Sequence, residues 1–288
     1  MSLEPSELIL NADRSVYHLK LLPEDIAETI LLVGDPERVP RVSRHFDTLE
    51  CTKSNREFTT HTGYLGPHRL SVVSTGIGTD NIDIVLNELD ALVNIDFQTR
   101  MPKSSLTRLR LVRMGTSGAL QEDIPLDSFL LSDYAVGFDG LLHYYQGEHL
   151  QRADMQYRLL DFMKWPVMHA VPYVVAADPE LTAQVDGPGI FRGVTATNPG
   201  FYAPQGRSLR LPLQQANFLE RLAAFRHGDL RITNMEMETA GILAMAGLLG
   251  HSAASLSAIL ANRLRGEFSK SPEQTIDRLI NHTLDALF

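Results

Sequence analysis

The sequence predicts one α/β domain over residues 1–288, built on a largely internal sheet. Three observations carry this. Apolar runs of strand length alternate with segments of helical period along the chain, the pattern of helices covering a sheet. No repeat, low-complexity tract or linker interrupts the alternation. The composition is 44% hydrophobic and 21% charged with 20 Gly and 15 Pro, which excludes collagen-like, coiled-coil and disordered chains. At 288 residues the chain can build a large core, since about three quarters of the unfolded surface is buried at that size.

The elements follow in order. Residues 29–33, TILLV, are a short apolar run closed by Gly34 and read as a buried strand. PERVPRVSRHF reads as a helix opened by Pro36 near its first turn. Residues 57–65 and 69–75 are rich in β-formers and flank the turn pair Gly66 and Pro67. After Gly76 and Gly78, residues 81–93 place Ile82, Val85, Leu86, Leu89 and Val93 on one helical face. Polar residues and a proline over 94–106 break that face and read as a surface loop. Residues 109–114 and 129–135 read as strands, 153–164 as a helix, 191–196 as a strand and 217–225 as a helix. Residues 239–249 read as a helix ended by Gly250, the residue suited to a left-handed stop. A strand over 255–260 and an amphipathic helix over 272–287 close the chain, the helix turning Ile276, Leu279, Ile280, Leu284 and Leu287 inward.

Charge and cysteine content narrow the function. With 26 basic against 35 acidic residues the net charge is −9, the wrong sign for binding nucleic acid. A small anion held by a few local arginines remains open. One cysteine, Cys51, excludes a disulfide framework and a Cys-rich zinc site and fits a reducing cytoplasm. The start, MSLEPSELILNADRS, lacks the basic and apolar regions of a signal peptide. The longest small-and-apolar run, near 240–250, falls short of the ~20 residues of a membrane span. A cytoplasmic protein without a membrane partner is expected. The histidines are scattered without HExxH, and GxSxG is absent, so neither a metal site nor a serine nucleophile is expected.

In α/β folds ligands bind at the carboxyl ends of strands. Five segments fall there. GDPERV puts Gly34 and Arg38 where a strand enters a helix, suited to an anion or simply a turn with a solvated arginine. STGIGTDN is a Gly-x-Gly turn that fits neither the dinucleotide nor the P-loop pattern. RMGTSG ends a strand with Arg113 beside Thr116, Ser117 and Gly118: an oxyanion cradle, or an arginine paired with a carboxylate at the sheet's end. NMEMET places two glutamates two residues apart, on one face if extended. They are candidates for acid–base work or sugar-hydroxyl binding, and an exposed edge strand is the plainer alternative. FYAPQGR offers a stacking ring, an amide and a guanidinium able to read adjacent C=O and N–H groups, or is a surface loop.

Taken in order, GDPERV, REFTT, STGIG, RMGTSG, FYAPQGR and NMEMET resemble the uridine phosphorylases of the nucleoside phosphorylase superfamily. The likeness runs from about His18 to the C-terminal helix, and the FYxxQxR pattern is the most specific part. The resemblance implies a three-layer α/β/α phosphorylase-type fold with a central mixed sheet. It implies phosphate attack on C1′ of a ribonucleoside, releasing the base and α-ribose 1-phosphate. It assigns Gly34, Arg38, Arg56, Arg113 and Thr116 to phosphate, with Arg56 donated from a neighbouring subunit. It assigns Glu238 and Met237 to ribose, and His18 to the 5′-hydroxyl across a dimer. Phe201 becomes the stacking ring, Gln205 and Arg207 the uracil readers, and Arg263 the support of Arg207. Arg113, Glu238 and Arg207 are the catalytic candidates.

Nucleoside and phosphate are the expected partners, in a homo-oligomer that is at least a dimer and extends in bacterial relatives to a trimer of dimers. Phosphate is the co-substrate and no cofactor is expected. Potassium is the one ion the resemblance raises, beside Glu57 and Ile77, and Asn81 stands where those relatives carry serine. Residues 92–106 make a longer connection than in the compact bacterial enzymes, which leaves the assembly open. In ILANRLRG, Asn262 and Arg263 occupy the place of a purine-protonating aspartic acid in hexameric purine-specific relatives. The rivals are a purine or broad-specificity phosphorylase, a nucleosidase and a non-catalytic nucleoside binder. The three phosphate arginines count against a nucleosidase, because water needs no cationic cradle.

Overall fold

A computed structural model describes residues 2–288. The first apolar run forms β1 (Thr29–Val33), buried over its whole length. It passes through Gly34 to α1 (Arg38–Ser43), then to an antiparallel meander of β2 (Thr48–Asn55), β3 (Phe58–Leu65) and β4 (His68–Ser74). Next come α2 (Thr79–Asn94) and a small hairpin, β5 (Ile95–Asp96) with β6 (Met101–Pro102). The chain continues through β7 (Arg110–Ala119), β8 (Phe129–Gly137), α3 (Ala153–Met163), β9 (Tyr173–Ala176), α4 (Pro179–Val185) and β10 (Phe191–Thr197). It ends with α5 (Phe218–Ala224), β11 (Arg226–His227), β12 (Leu230–Glu236), α6 (Thr239–Leu249), β13 (Ser252–Asn262), β14 (Glu267–Phe268) and α7 (Pro272–Leu287).

The main sheet runs β11-β12-β10-β8-β13-β7-β1-β4-β3-β2. It is mixed: β1 lies parallel to β4 and β7, whereas β13 lies parallel to β7 and antiparallel to β8. β12 also reaches β7, pairing Asn234 with Ala119 and Met235 with Gly118. Strands β7, β13, β8, β10 and β12 therefore close on themselves, which brings the end of β12 against the RMGTSG strand.

Side-chain alternation in β1 sets the layers. Ile30 and Leu32 pack with Ile82, Leu86 and Leu89 of α2 and with Ile242 and Met245 of α6. Leu31 and Val33 pack on the other face with Val39 of α1, Leu181 of α4 and Leu279 of α7. Helices thus cover both faces, giving the expected three layers. A further cluster seats α3 and α5 through Leu159, Met163 and Leu222 against Val136, Val194 and Ile232. Among the described residues no helix is long and apolar enough to cross a membrane.

Several elements differ from the sequence reading. β7 does not stop at Met114 but continues to Ala119, because Gly115 to Ala119 pair with β13 in spite of their low strand propensity. The 94–106 segment is not all loop: Ile95 pairs with Pro102 and Asp96 with Met101. β2, an edge strand of mixed polarity and mostly exposed, carried no apolar signal. α4 did carry one, an Asp178 cap whose side chain accepts from Leu181 N, with Pro179 next to it.

Candidate active site

A cleft of about 550 Å³ opens beyond the ends of β1 and β12, over residues 113–118 of β7. Gly34, Arg38, Arg113, Thr116, Phe201, Gln205, Arg207, Met237 and Glu238 all line it.

Its floor is an ion network. Arg113 is 5% exposed, and its Nη2 lies 2.6 Å from Glu238 Oε2 and 3.0 Å from Glu236 Oε2. The two glutamates do not share an extended strand: Glu236 ends β12, and Glu238 is the residue before α6. They meet at Arg113 because the chain turns there into a helix. Both are buried, unlike the residues of an exposed edge strand. Glu236 holds the turn, accepting from the backbone N–H groups of Glu238 and Thr239, each at 2.9 Å, and from Thr197 Oγ1 at 2.6 Å. A carboxylate at a helix start also faces the positive end of the helix dipole.

Burial alone would lower the Arg113 guanidinium, and the charges of Glu236 and Glu238 reverse that, holding it above its usual value. Burial, with Glu236 beside it, holds the Glu238 carboxyl above the usual range despite Arg113. Glu238 Oε1 accepts from the N–H of Gly78 at 2.8 Å. Gly78 has φ +94°, which a side chain resists. Gly115 is needed for another reason: a Cβ there would sit 1.6 Å from Arg113 Nη1. The guanidinium folds back over that glycine.

One arm of Arg113 remains open. Nη1 is buried and has no hydrogen-bond partner among the described residues. Arg38 lines the same end, donating from Nη1 to Met114 O at 3.3 Å, and burial and the like charge of Arg113 lower its pKa. Two converging guanidiniums with an unfilled donor make an anion cradle. Gly34 and half-buried Thr116 complete its rim.

The other end is a loop, 198–217. Gln205 is buried, and its backbone oxygen accepts from Arg263 Nη1 at 3.1 Å. Arg207 Nη1 donates to Gln205 Oε1 and to Phe201 O, each at 2.6 Å, and its guanidinium lies 3.8 Å above the Phe201 ring. Burial and nearby Arg263 push the Arg207 guanidinium down to about 10, which leaves it a cation at neutral pH.

His18 and Arg56 do not line the cleft. Both have other partners: Asn55 Nδ2 donates to His18 O at 2.7 Å, and the Arg56 guanidinium lies 5.9 Å over the ring of Tyr17. Arg56 turns between β2 and β3 at φ +55°, a left-handed conformation uncommon outside glycine.

Sequence reasoning missed Glu88. Its carboxylate takes the N–H of His18 at 2.9 Å, that of Leu19 at 2.8 Å and His18 Nδ1 at 2.6 Å. The carboxylate therefore holds a hydrogen on Nδ1 and sets the orientation of the ring. No local motif marks a lone glutamate on a helix. Asn81 turns an N–H, not an oxygen, to Ile77 O at 3.4 Å.

Helices on both faces of a mixed sheet, with two arginines beside buried carboxylates in one cleft, define an α/β protein whose cleft suits an anion. Residues 28–286 match the family model of the phosphorylase superfamily, and the chain belongs to that superfamily. It is 30% identical to a uridine phosphorylase of Thermococcus kodakarensis, over 90% of this chain and 81% of that protein. It is 27% identical to the uridine phosphorylase of Escherichia coli, over 94% of this chain and 96% of that one. A solved Trypanosoma brucei nucleoside phosphorylase, described as showing uridine phosphorylase activity, superposes with a TM-score of 0.88 at 26% identity. That match covers 97% of this chain and 99% of the other.

Proposed function

We propose that this protein is a uridine phosphorylase acting as a single phosphorylase domain. The observation that carries the reading is the meeting, in one cleft, of the Arg113–Glu238 floor with the Gln205–Arg207–Arg263 group. The relatives named above support it.

Phosphate occupies the cradle of Gly34, Arg38, Arg113 and Thr116. Glu238 accepts from the ribose hydroxyls, and Met237 packs against the sugar. The C1′–N1 bond breaks with its electron pair leaving on uracil, and ribose gains oxocarbenium character. A phosphate oxygen then bonds to C1′ from the opposite face, giving α-ribose 1-phosphate. Arg207 and Gln205 hold the charge that develops on the uracil carbonyls, and donors of this kind contribute about 10²–10³ each.

Asn262 supports the pyrimidine assignment. Its amide is fully engaged, donating to Gln121 O and Ile124 O and accepting from Leu264 N and Arg265 N. It cannot protonate a departing purine.

The smallest complete unit in this reading is a homodimer in which His18 and Arg56 serve a neighbouring subunit's cleft. Their position outside their own cleft favours it, and a trimer of dimers would repeat the same interface. The free thiol of Cys51 fits a cytoplasmic setting. Initial rates on uridine, inosine and adenosine, at equal subsaturating concentration with phosphate, test the base assignment. Uridine should lead clearly. Inosine or adenosine outrunning uridine would overturn it.

A further inference from the structure

A second cavity, of about 420 Å³, shares no lining residue with the cleft among the described residues. Its size suits a small ring-bearing molecule. One wall is aromatic. Phe138 stacks on Trp165 with centroids 5.0 Å apart and planes at 24°, and Phe218 meets Phe138 edge-on at 6.0 Å. The indole N–H of Trp165 is already bound to Ala170 O at 3.0 Å, so this wall offers ring surface rather than a donor.

Two polar groups of the lining, Asn198 and Asp139, offer acceptor oxygens. Asn198 is 1% exposed, and its Nδ2 donates to Ala196 O at 3.3 Å. Its Oδ1 is buried without a partner among the described residues, a costly state for a carbonyl oxygen. Asp139 takes the Tyr173 hydroxyl at 3.0 and 3.1 Å and the Leu141 N–H at 2.8 Å, which leaves lone pairs unused. Burial raises the Asp139 carboxyl above the usual range.

We propose that this cavity is a second binding site for a planar heterocycle that carries an exocyclic amino group, as adenine or cytosine does. The ring lies against the aromatic wall, and the amino group supplies the donor that Asn198 Oδ1 and Asp139 lack. Uracil has no amino group, and each of its ring N–H donors stands beside a carbonyl oxygen that would be turned toward these acceptors. The cavity therefore prefers the opposite base chemistry to the cleft. It also adjoins the machinery of the cleft. Ala203 and Pro204 line it and lead directly into Gln205, and the backbone N–H of Asn198 donates to Glu236 O at 2.9 Å. An occupant there braces the base-reading loop.

Trp165 is the one tryptophan of the chain, so its fluorescence reports this cavity. Adenine is titrated into the wild type, Arg207→Ala, Asn198→Ala and Ala170→Phe, with uracil as the comparison ligand. The proposal predicts a saturable change with adenine, about ten-fold tighter than with uracil, since unmatched polar groups cost affinity. The response persists in Arg207→Ala and in the presence of phosphate with uracil at a concentration equal to that of adenine. It weakens about ten-fold in Asn198→Ala and is blocked in Ala170→Phe, which fills an exposed lining position. Thermal melts identify any variant that has lost its fold, and the other then decides. No saturable response to adenine, or one abolished by uracil with phosphate or by Arg207→Ala, overturns the proposal.

Discussion

At the β7–β12 end of the cleft, Arg113 and the two glutamates it bridges are almost wholly removed from solvent, and their partners are fixed by strand and helix backbone. At the other end Phe201 is 51% exposed, and Arg207 lies across its ring, bonded to its own loop. The first end is assembled before any ligand arrives. In the second, Arg207 is bonded to the loop itself and covers one face of the Phe201 ring. Sequence separation accounts for the contrast. The floor joins residues of β7 and β12 locked by the sheet, whereas Phe201, Gln205 and Arg207 lie on one continuous loop of Pro, Gly and polar residues.

Substitutions in the two regions should then fail in different ways. The largest effect is expected for Arg113→Ala, with a loss of at least about 10² in kcat/KM. It should also destabilise the fold by about 3–5 kcal/mol, because Glu236 and Glu238 are left as buried, uncompensated charges. Kinetics with denaturant melts checks both, and a fully active, equally stable variant breaks the contrast. Gly115→Ala comes next. The new Cβ displaces the Arg113 guanidinium, and a shift of an ångström costs about 10² in rate, read as a raised phosphate KM and lowered kcat.

Arg207→Ala should lose tens-fold in kcat/KM for uridine, with stability unchanged within about 0.5 kcal/mol. A large stability loss would show that the base loop is as tightly built as the floor. The smallest effect belongs to Glu88→Gln. It removes the charge that orients His18 and should raise the uridine KM by roughly five-fold, the loss of about one hydrogen bond. With 5′-deoxyuridine, which has no 5′-hydroxyl, wild type and variant should be alike. An equal loss on both substrates would make Glu88 a merely structural residue.

The sequence carried the elements whose signals are local. β1 is an apolar run ended by glycine, α2 and α7 show their inward faces by period, and Gly250 stops α6 at φ +78° as expected. The cleft residues could be collected because their segments stand in a recognisable order. What stayed hidden was non-local. Gly115 to Ala119 are strand only because β13 lies beside them, and the turn that carries the two glutamates reaches Arg113 only because β12 closes onto β7. Glu88 acts on His18 seventy positions away, and no spacing rule connects them.

The central claim is that phosphate, held by Arg38 and Arg113, is the group that takes the ribose. Uridine incubated with the purified protein, with and without phosphate, tests it most directly. The account predicts uracil release only with phosphate, matched one for one by α-ribose 1-phosphate. Uracil released as fast without phosphate, with free ribose as the other product, would contradict it.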